Sequence, residues 1–420
     1  MEQKVSNIVK QIGKNARNSL DSLRKTSSEQ KNDALNFSAE LIHNNCENIL
    51  DSNEKDIKFA KEKGIKKSLL QRLELDENKI KNISKSLINV AELPNPLGKM
   101  FDHNQRPNGL TVKKITVPIG VIAIIYESRP NVTADSASLC LKSGNASILR
   151  CGSESFNTSN KLLEYLKLGL KKANITEDSI QMIPTRSRDA VSELLKLNNL
   201  IDIIIPRGGK GLIEKINNET KIPVISHLDG NCHTYIHKDA DIHKSLDLVI
   251  NAKFRNTSIC GATESLIIDC SIIKSHLPKI IENLSLKDCK IYGDNNCIAF
   301  DERILHASEE DWHTEYLDST ISIKTVSNVD EAIKHIQKYG SGHTDCIITE
   351  NKEAAKKFFN EIDSAIVMHN TSTQFADGGE FGLGSEIGIS TNRLHARGPV
   401  GLEELTTYKW LVESNGQVRL

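Results

Sequence analysis

The chain has 420 residues, 38% of them hydrophobic and 26% charged, a balance that suits a folded globular protein of about two to four domains and argues against long disorder. Its 54 basic and 55 acidic side chains leave a net charge of −1, so no global field is available to hold nucleic acid or an anionic membrane. The longest apolar stretch, Val117 to Tyr126, is interrupted by Pro118 and Gly120 and falls short of the ~20 residues a membrane helix needs.

The N-terminal stretch MEQKVSNIVKQIGKNARNSL has no apolar leader core and reads as an amphipathic helix, so secretion is not expected. Nine cysteines, an odd number without a C-x-x-C, argue against a disulfide framework or a zinc ribbon and point to a reducing cytoplasm. The first hundred residues read as helical. Thr26-Ser27-Ser28-Glu29 fits a capping box, and Leu35, Ala39, Ile42, Cys46 and Ile49 form one apolar stripe. From Gly120 strands and helices alternate. Strands are expected at Val121–Tyr126, Ala146–Arg150, Ile180–Ile183 and Leu200–Ile205, with helices at Asn131–Leu141 and Thr158–Lys172. A second alternating block opens near Gly230, with strands at Thr234–Ile236, Glu264–Asp269, Ile321–Ile323, Cys346–Ile348 and Ala365–Val367. This pattern predicts an α/β fold of parallel, doubly wound sheets. The glycine-rich segment from Gly378 to Gly401 suits a closely packed loop.

Chemistry-bearing residues cluster where strands end. Pro206-Arg207-Gly208-Gly209-Lys210-Gly211 follows a strand and opens a helix, joining free N–H groups, close approach and two cations into an anion site; the bland reading is a tight turn. Arg150-Cys151-Gly152-Ser153-Glu154 also follows a strand, and Arg150 could pair with a ribose 2′-phosphate or sit in an ordinary loop. Ser128-Arg129-Pro130-Asn131 opens a helix, with Asn131 readable as its N-cap and Arg129 as an anion contact or a solvated side chain. Cys260 lies in the small, polar stretch Asn256–Ala262, whereas Cys140, Cys270 and Cys346 lie in apolar runs. Cys260 is therefore the best nucleophile candidate. Cys232, His233, His237 and His243 fit no zinc spacing, so no metal is expected.

The residues from Val117 to Ser155, VPIGVIAIIYESRPNVTADSASLCLKSGNASILRCGSES, resemble the signature of the gamma-glutamyl phosphate reductase (glutamate-5-semialdehyde dehydrogenase) family, within the aldehyde dehydrogenase superfamily. IIPRGGKGLI from Ile204, GNCHTYIHKDADI from Gly230, NAKFRNTSICGATESLII from Asn251, GSGHTDCIITE from Gly340 and FGLGSEIGISTNRLHARGPVGLEELTTYKW from Phe381 extend the match to Trp410. The resemblance implies that Cys260 is the catalytic thiol and Asn131 a candidate oxyanion donor, with Ser128 and Arg129 toward the substrate. It implies that Arg150, Ser153, Arg207, Gly208, Gly209 and Lys210 hold NADPH.

It further implies NADPH-dependent reduction of L-glutamate 5-phosphate to the 5-semialdehyde, a step of proline synthesis, in a cytoplasmic homo-oligomer with functional coupling to glutamate 5-kinase. A Rossmann-type cofactor domain over 1–105 and 127–229, a catalytic domain over 230–372, and a β-flap for oligomerisation over 106–126 with 373–420 are the expected parts. Hydrolytic relatives keep a Glu before a Gly pair; here the segment reads His227-Leu228-Asp229-Gly230-Asn231, which agrees with an acyl-enzyme formed by loss of phosphate. A hydrolytic NAD-dependent aldehyde dehydrogenase and a catalytically silent dinucleotide-binding protein are the alternatives.

Overall fold

The computed structural model describes residues 2–419. They form two compact units. The first comprises the chain up to Ser226 with Gly382–Gly388 and the segment from Val400 onward; the second comprises His227–Phe381 with Ile389–Pro399.

The first unit opens with five helices, α1 (Glu2–Leu23), α2 (Ser28–Asn44), α3 (Cys46–Glu62), α4 (Lys67–Leu73) and α5 (Glu77–Glu92). The capping box stands one residue later than the sequence predicts. Ser27 Oγ accepts the Gln30 N–H at 3.1 Å, and Gln30 Oε1 accepts the Ser27 N–H at 3.0 Å. Thr26 is unavailable because its hydroxyl donates to the Ser22 carbonyl at the end of α1. Leu35, Ala39 and Ile42 are buried on α2, and the apolar stripe resumes at Ile49 on α3 after a break at Asn45. Next come β1 (Met100–Gln105), β2 (Thr111–Pro118), β3 (Val121–Tyr126), α6 (Asn131–Lys142), β4 (Ala146–Arg150), α7 (Phe156–Lys172), β5 (Ile180–Met182), α8 (Asp189–Leu194), β6 (Ile203–Arg207) and α9 (Lys210–Glu219).

Two sheets result. Strand β2 is the centre of an antiparallel sheet, between β1 and the C-terminal strand Thr406–Glu413. Strands β5-β4-β3-β6 form a parallel sheet. The stretch 106–126, expected as one flap, therefore divides. Val121–Tyr126 is buried at every position, as its β-branched run requires of a central parallel strand, whereas β2 mixes Lys and Thr with Val and Ile and is only half-buried. Strand β6 starts later than the apolar run because Asp202 is used as an anchor, accepting the Val121 N–H at 2.7 Å and pairing with Arg17 at 3.0 Å. The chain moves outward from β3 to β4 to β5 and then returns to the other side of β3. That reversal opens a crevice beyond the carboxyl ends of β3 and β6.

The second unit is built on β7 (Cys232–Ile236), α10 (Ile242–Phe254), β8 (Thr263–Asp269), α11 (Ile273–Ser285), β9 (Lys290–Gly293), α12 (Asn295–Ile298), β10 (Leu305–His306), β11 (Thr320–Val326), α13 (Val329–Tyr339), β12 (Thr344–Ile348), α14 (Lys352–Glu361) and β13 (Ile366–His369). Its seven strands are parallel in the order β10-β9-β11-β8-β7-β12-β13. Leu266, Ile268, Leu277, Ile280, Ile321 and Ile323 sit in its fully enclosed core. At this scale of burial, each such side chain contributes about 1.5–3 kcal/mol. Among the described residues, no helix is long and apolar enough to cross a membrane.

Candidate active site

Cys260 lies in the loop between α10 and β8, three residues before the strand begins. His343 immediately precedes β12, and His227 precedes β7. Since β8, β7 and β12 are neighbours in the sheet, three segments entering adjacent strands converge at its amino edge. The thiol and the ring nitrogens of both histidines lie within 4.8 Å of one another, the one such metal-capable cluster among the described residues. Each imidazole is held through its Nδ1. His227 Nδ1 contacts the Ile389 carbonyl at 2.7 Å, and His343 Nδ1 contacts Thr344 Oγ1 at 2.9 Å. His343 is fully buried and its Nε2 has no hydrogen-bond partner.

Burial works against a Cys260 thiolate, but the positive charges of His343 and then His227 outweigh it and hold the thiol well below its ordinary range. The other perturbed cysteines move the opposite way. Burial raises Cys151 to about 11 and Cys289 and Cys346 to about 12, and it raises Cys46, Cys140, Cys232 and Cys297 as well. Gly230 makes the packing around Cys260 possible. A Cβ there would stand 2.4 Å from the Cys260 carbonyl oxygen and 2.7 Å from its Cβ, distances no side chain tolerates. Glu315, which sequence reasoning did not single out, accepts the Gly230 N–H; burial, and next the Cys260 charge, raises its carboxyl. The histidines weighed as zinc ligands are engaged elsewhere: His233 pairs with Asp345 at 3.1 Å, and His237 contacts Thr349 Oγ1 at 3.0 Å.

The remaining predicted residues gather at the carboxyl edge of the first unit's parallel sheet. Ser128, at φ +46, donates its N–H and hydroxyl to Glu154 Oε1 at 2.7 and 2.8 Å, and Ser153 Oγ lies 3.3 Å from Glu154 Oε2. Arg129 follows Ser128 in the same turn. Asn131 is not the N-cap: Pro130 takes that position, and the Asn131 amide donates to Asp135 Oδ2 at 3.0 Å, one turn ahead. Arg150 is 7% exposed, and its guanidinium donates to the carbonyls of Cys151, Arg186 and Ser187. The Arg207–Gly209 turn is tied to the first loop, since Glu127 accepts the Gly209 N–H at 2.9 Å and donates its own N–H to Arg207 O at 3.0 Å.

Helix α9 starts at Lys210 with Gly209 as an N-cap that supplies no side chain. The aldehyde dehydrogenase family profile matches residues 2–291. A gamma-glutamyl phosphate reductase from Rhodospirillum rubrum is 50% identical over 97% of this chain and 96% of its own; one from Brucella suis is 45% identical over the full length of both. The crystal structure of a gamma-glutamyl phosphate reductase from Thermotoga maritima superimposes with a TM-score of 0.94 at 42% identity, covering 98% of this chain and 100% of that one. This chain belongs to the aldehyde dehydrogenase family. An acetylating aldehyde dehydrogenase from Geobacillus thermoglucosidasius, 17% identical with a TM-score of 0.72, shares the fold alone.

Membership makes the protein an oxidoreductase that works with a nicotinamide cofactor, and the first unit fits a dinucleotide. The α9 terminus has no acidic residue in its first turn and no side-chain cap from Gly209, whose own N–H goes to Glu127; a Cβ at Gly209 or Gly211 would meet nothing within 4 Å, and Arg207 Nε is buried without a partner. A phosphate can therefore approach N–H groups and a guanidinium at the switch point of this aldehyde dehydrogenase-family sheet.

Proposed function

We propose that this aldehyde dehydrogenase-family chain reduces L-glutamate 5-phosphate with NADPH to L-glutamate 5-semialdehyde and phosphate, the second step of proline synthesis from glutamate. The observation that carries the reading is the Cys260 thiol flanked by two oriented imidazoles, together with near-full-length identity to gamma-glutamyl phosphate reductases. The Cys260 thiolate attacks the acyl carbon; the S–C bond forms as the C–O bond to phosphate breaks, and phosphate leaves with the electron pair. When bound, NADPH supplies hydride to the thioester carbon. An imidazolium of the His227–His343 pair protonates the resulting oxyanion or takes that proton back as the thiohemiacetal collapses, returning the thiolate. The semialdehyde closes on its own amine and loses water to give 1-pyrroline-5-carboxylate.

Arg150 and the Arg207–Lys210 turn would favour NADPH over NADH, and Ser128, Arg129 and Asn131 would meet the substrate. A cytoplasmic homo-oligomer acting downstream of glutamate 5-kinase completes the proposal. No Glu stands before Gly230, so the acyl-enzyme should resist water and be released by phosphate in reverse. Oxidation of the semialdehyde with NADP should therefore require phosphate and saturate with it. Sustained NADPH production in phosphate-free buffer would favour the hydrolytic alternative.

A further inference from the structure

We propose that His227, Cys260 and His343 also form a binding site for zinc, or another thiophilic divalent cation, which silences the thiol by coordinating it. One sulfur and two imidazole nitrogens are a donor set that selects zinc over oxygen-seeking magnesium or calcium. With ligand bonds of about 2.0–2.3 Å, tetrahedral donors stand roughly 3.5 Å apart. The three atoms already lie within 4.8 Å, so closure of about an ångström is needed, and His227 and Cys260 are only half-buried.

The surroundings are those a metal site needs. Ligating histidines are normally fixed by a second contact through the other ring nitrogen. Here Ile389 O and Thr344 Oγ1 hold the two Nδ1 atoms. His343 Nε2 is a fully buried nitrogen with no partner, and such a group is costly unless something meets it. The three side chains come from segments entering adjacent strands, so their backbones are held by the sheet. Three protein ligands leave a fourth position open to water or to an anionic substrate group. The silencing, though not the binding, rests on the reading of Cys260 as the nucleophile: a sulfur lone pair given to a metal cannot attack an acyl carbon.

Cobalt is the probe, because a thiolate bound to Co²⁺ gives a near-ultraviolet charge-transfer band that imidazole and carboxylate ligands do not. The full-length chain should bind one Co²⁺ with that band, and Zn²⁺ should displace it. Cys260→Ser should abolish the band, and His227→Gln should weaken binding by at least about tenfold. Zinc should inhibit turnover reversibly, with a chelator restoring it. Absence of the band, or its persistence in Cys260→Ser, would overturn the site. A band without inhibition would overturn the silencing. If Cys260→Ser loses the band yet keeps turnover, the metal site stands and the nucleophile assignment fails; an inactive Cys260→Ser beside a wild type that binds no cobalt gives the reverse.

Discussion

Cys260 differs from the chain's other cysteines in its surroundings rather than in its own chemistry. A thiol of ordinary pKa, ~8.5, is only about 1% thiolate at pH 6.5. Imidazole charge holds Cys260 well below that range, while burial raises seven of the other cysteines. Iodoacetamide at pH 6.5 should therefore label Cys260 about tenfold or more faster than any other cysteine. Its rate should stay nearly level as pH falls from 9 and drop only at the depressed folded pKa. The sign for stability follows: the thiolate's contribution is present above the unfolded pKa and is lost as pH falls through the folded one. Peptide mapping after a short labelling pulse decides the matter, and uniform labelling would remove the thiolate. Arg150 carries the cofactor prediction at the same scale. Arg150→Ala should raise KM for NADPH more than for NADH if the side chain reads a 2′-phosphate. An equal loss for both would mean that its bonds to the carbonyls of residues 151, 186 and 187 serve only to hold the loop.

Among the elements, the loop that carries Cys260 is clamped at both ends. Lys253, near the end of α10, pairs with Glu264, early in β8, and neither side chain is exposed. Glu264 also accepts the Leu317 N–H at 3.2 Å. Glu264→Gln leaves the ammonium buried without its counter-charge and should cost about 3–5 kcal/mol in urea unfolding. Replacing both partners with apolar residues of similar volume should recover most of that loss. Burial raises the Glu264 carboxyl to about 7, above its unfolded value. Its contribution is thus fully present below pH ~4.5 and lost as pH rises through 7, so the Gln variant should flatten the stability profile over that interval. A variant no less stable than the wild type would show that the pair does not anchor the loop. Strand β8 was legible from its apolar run; its ion pair with α10 was not, because residues 253 and 264 meet only when the strand returns beside the helix.

For the whole molecule, the antiparallel sheet is the surface most suited to assembly. The C-terminal strand matches β2 along its whole length, Thr406 opposite Pro118 through Glu413 opposite Thr111. Phe101, Tyr408, Trp410 and Val412 are all at least half exposed, and Lys114 Nζ sits 3.7 Å above the Tyr408 ring. Truncation after Leu405 would strip β2 of this neighbour and remove three of those apolar side chains. The truncated chain should lose the oligomer mass proposed for the full-length protein in light scattering, while an oligomer of unchanged stoichiometry would put the subunit contact elsewhere and a monomeric full-length chain would overturn the assembly.

Local pattern carried the fold a long way. Unbroken β-branched runs such as Val121–Tyr126 specify buried parallel strands, and the glycines after β6 specify a tight turn into α9, because both signals lie within a few consecutive residues. Cys260 stood out for a comparable reason, as a thiol among small polar neighbours. Its partners did not. His227 lies 33 residues before it and His343 83 after it, and neither spacing matches a motif. They meet because β8, β7 and β12 are adjacent in the sheet, and that order is set by the packing of the whole unit. The expectation that sites lie at carboxyl strand ends led to the carboxyl edge of the first unit's sheet and away from the amino edge of the second, where Glu315 and the imidazoles surround the thiol. Residue types and short spacings determined the elements and singled out Cys260; strand order alone decided which charges stand beside it, because electrostatic coupling depends on distance in space and not on distance along the chain.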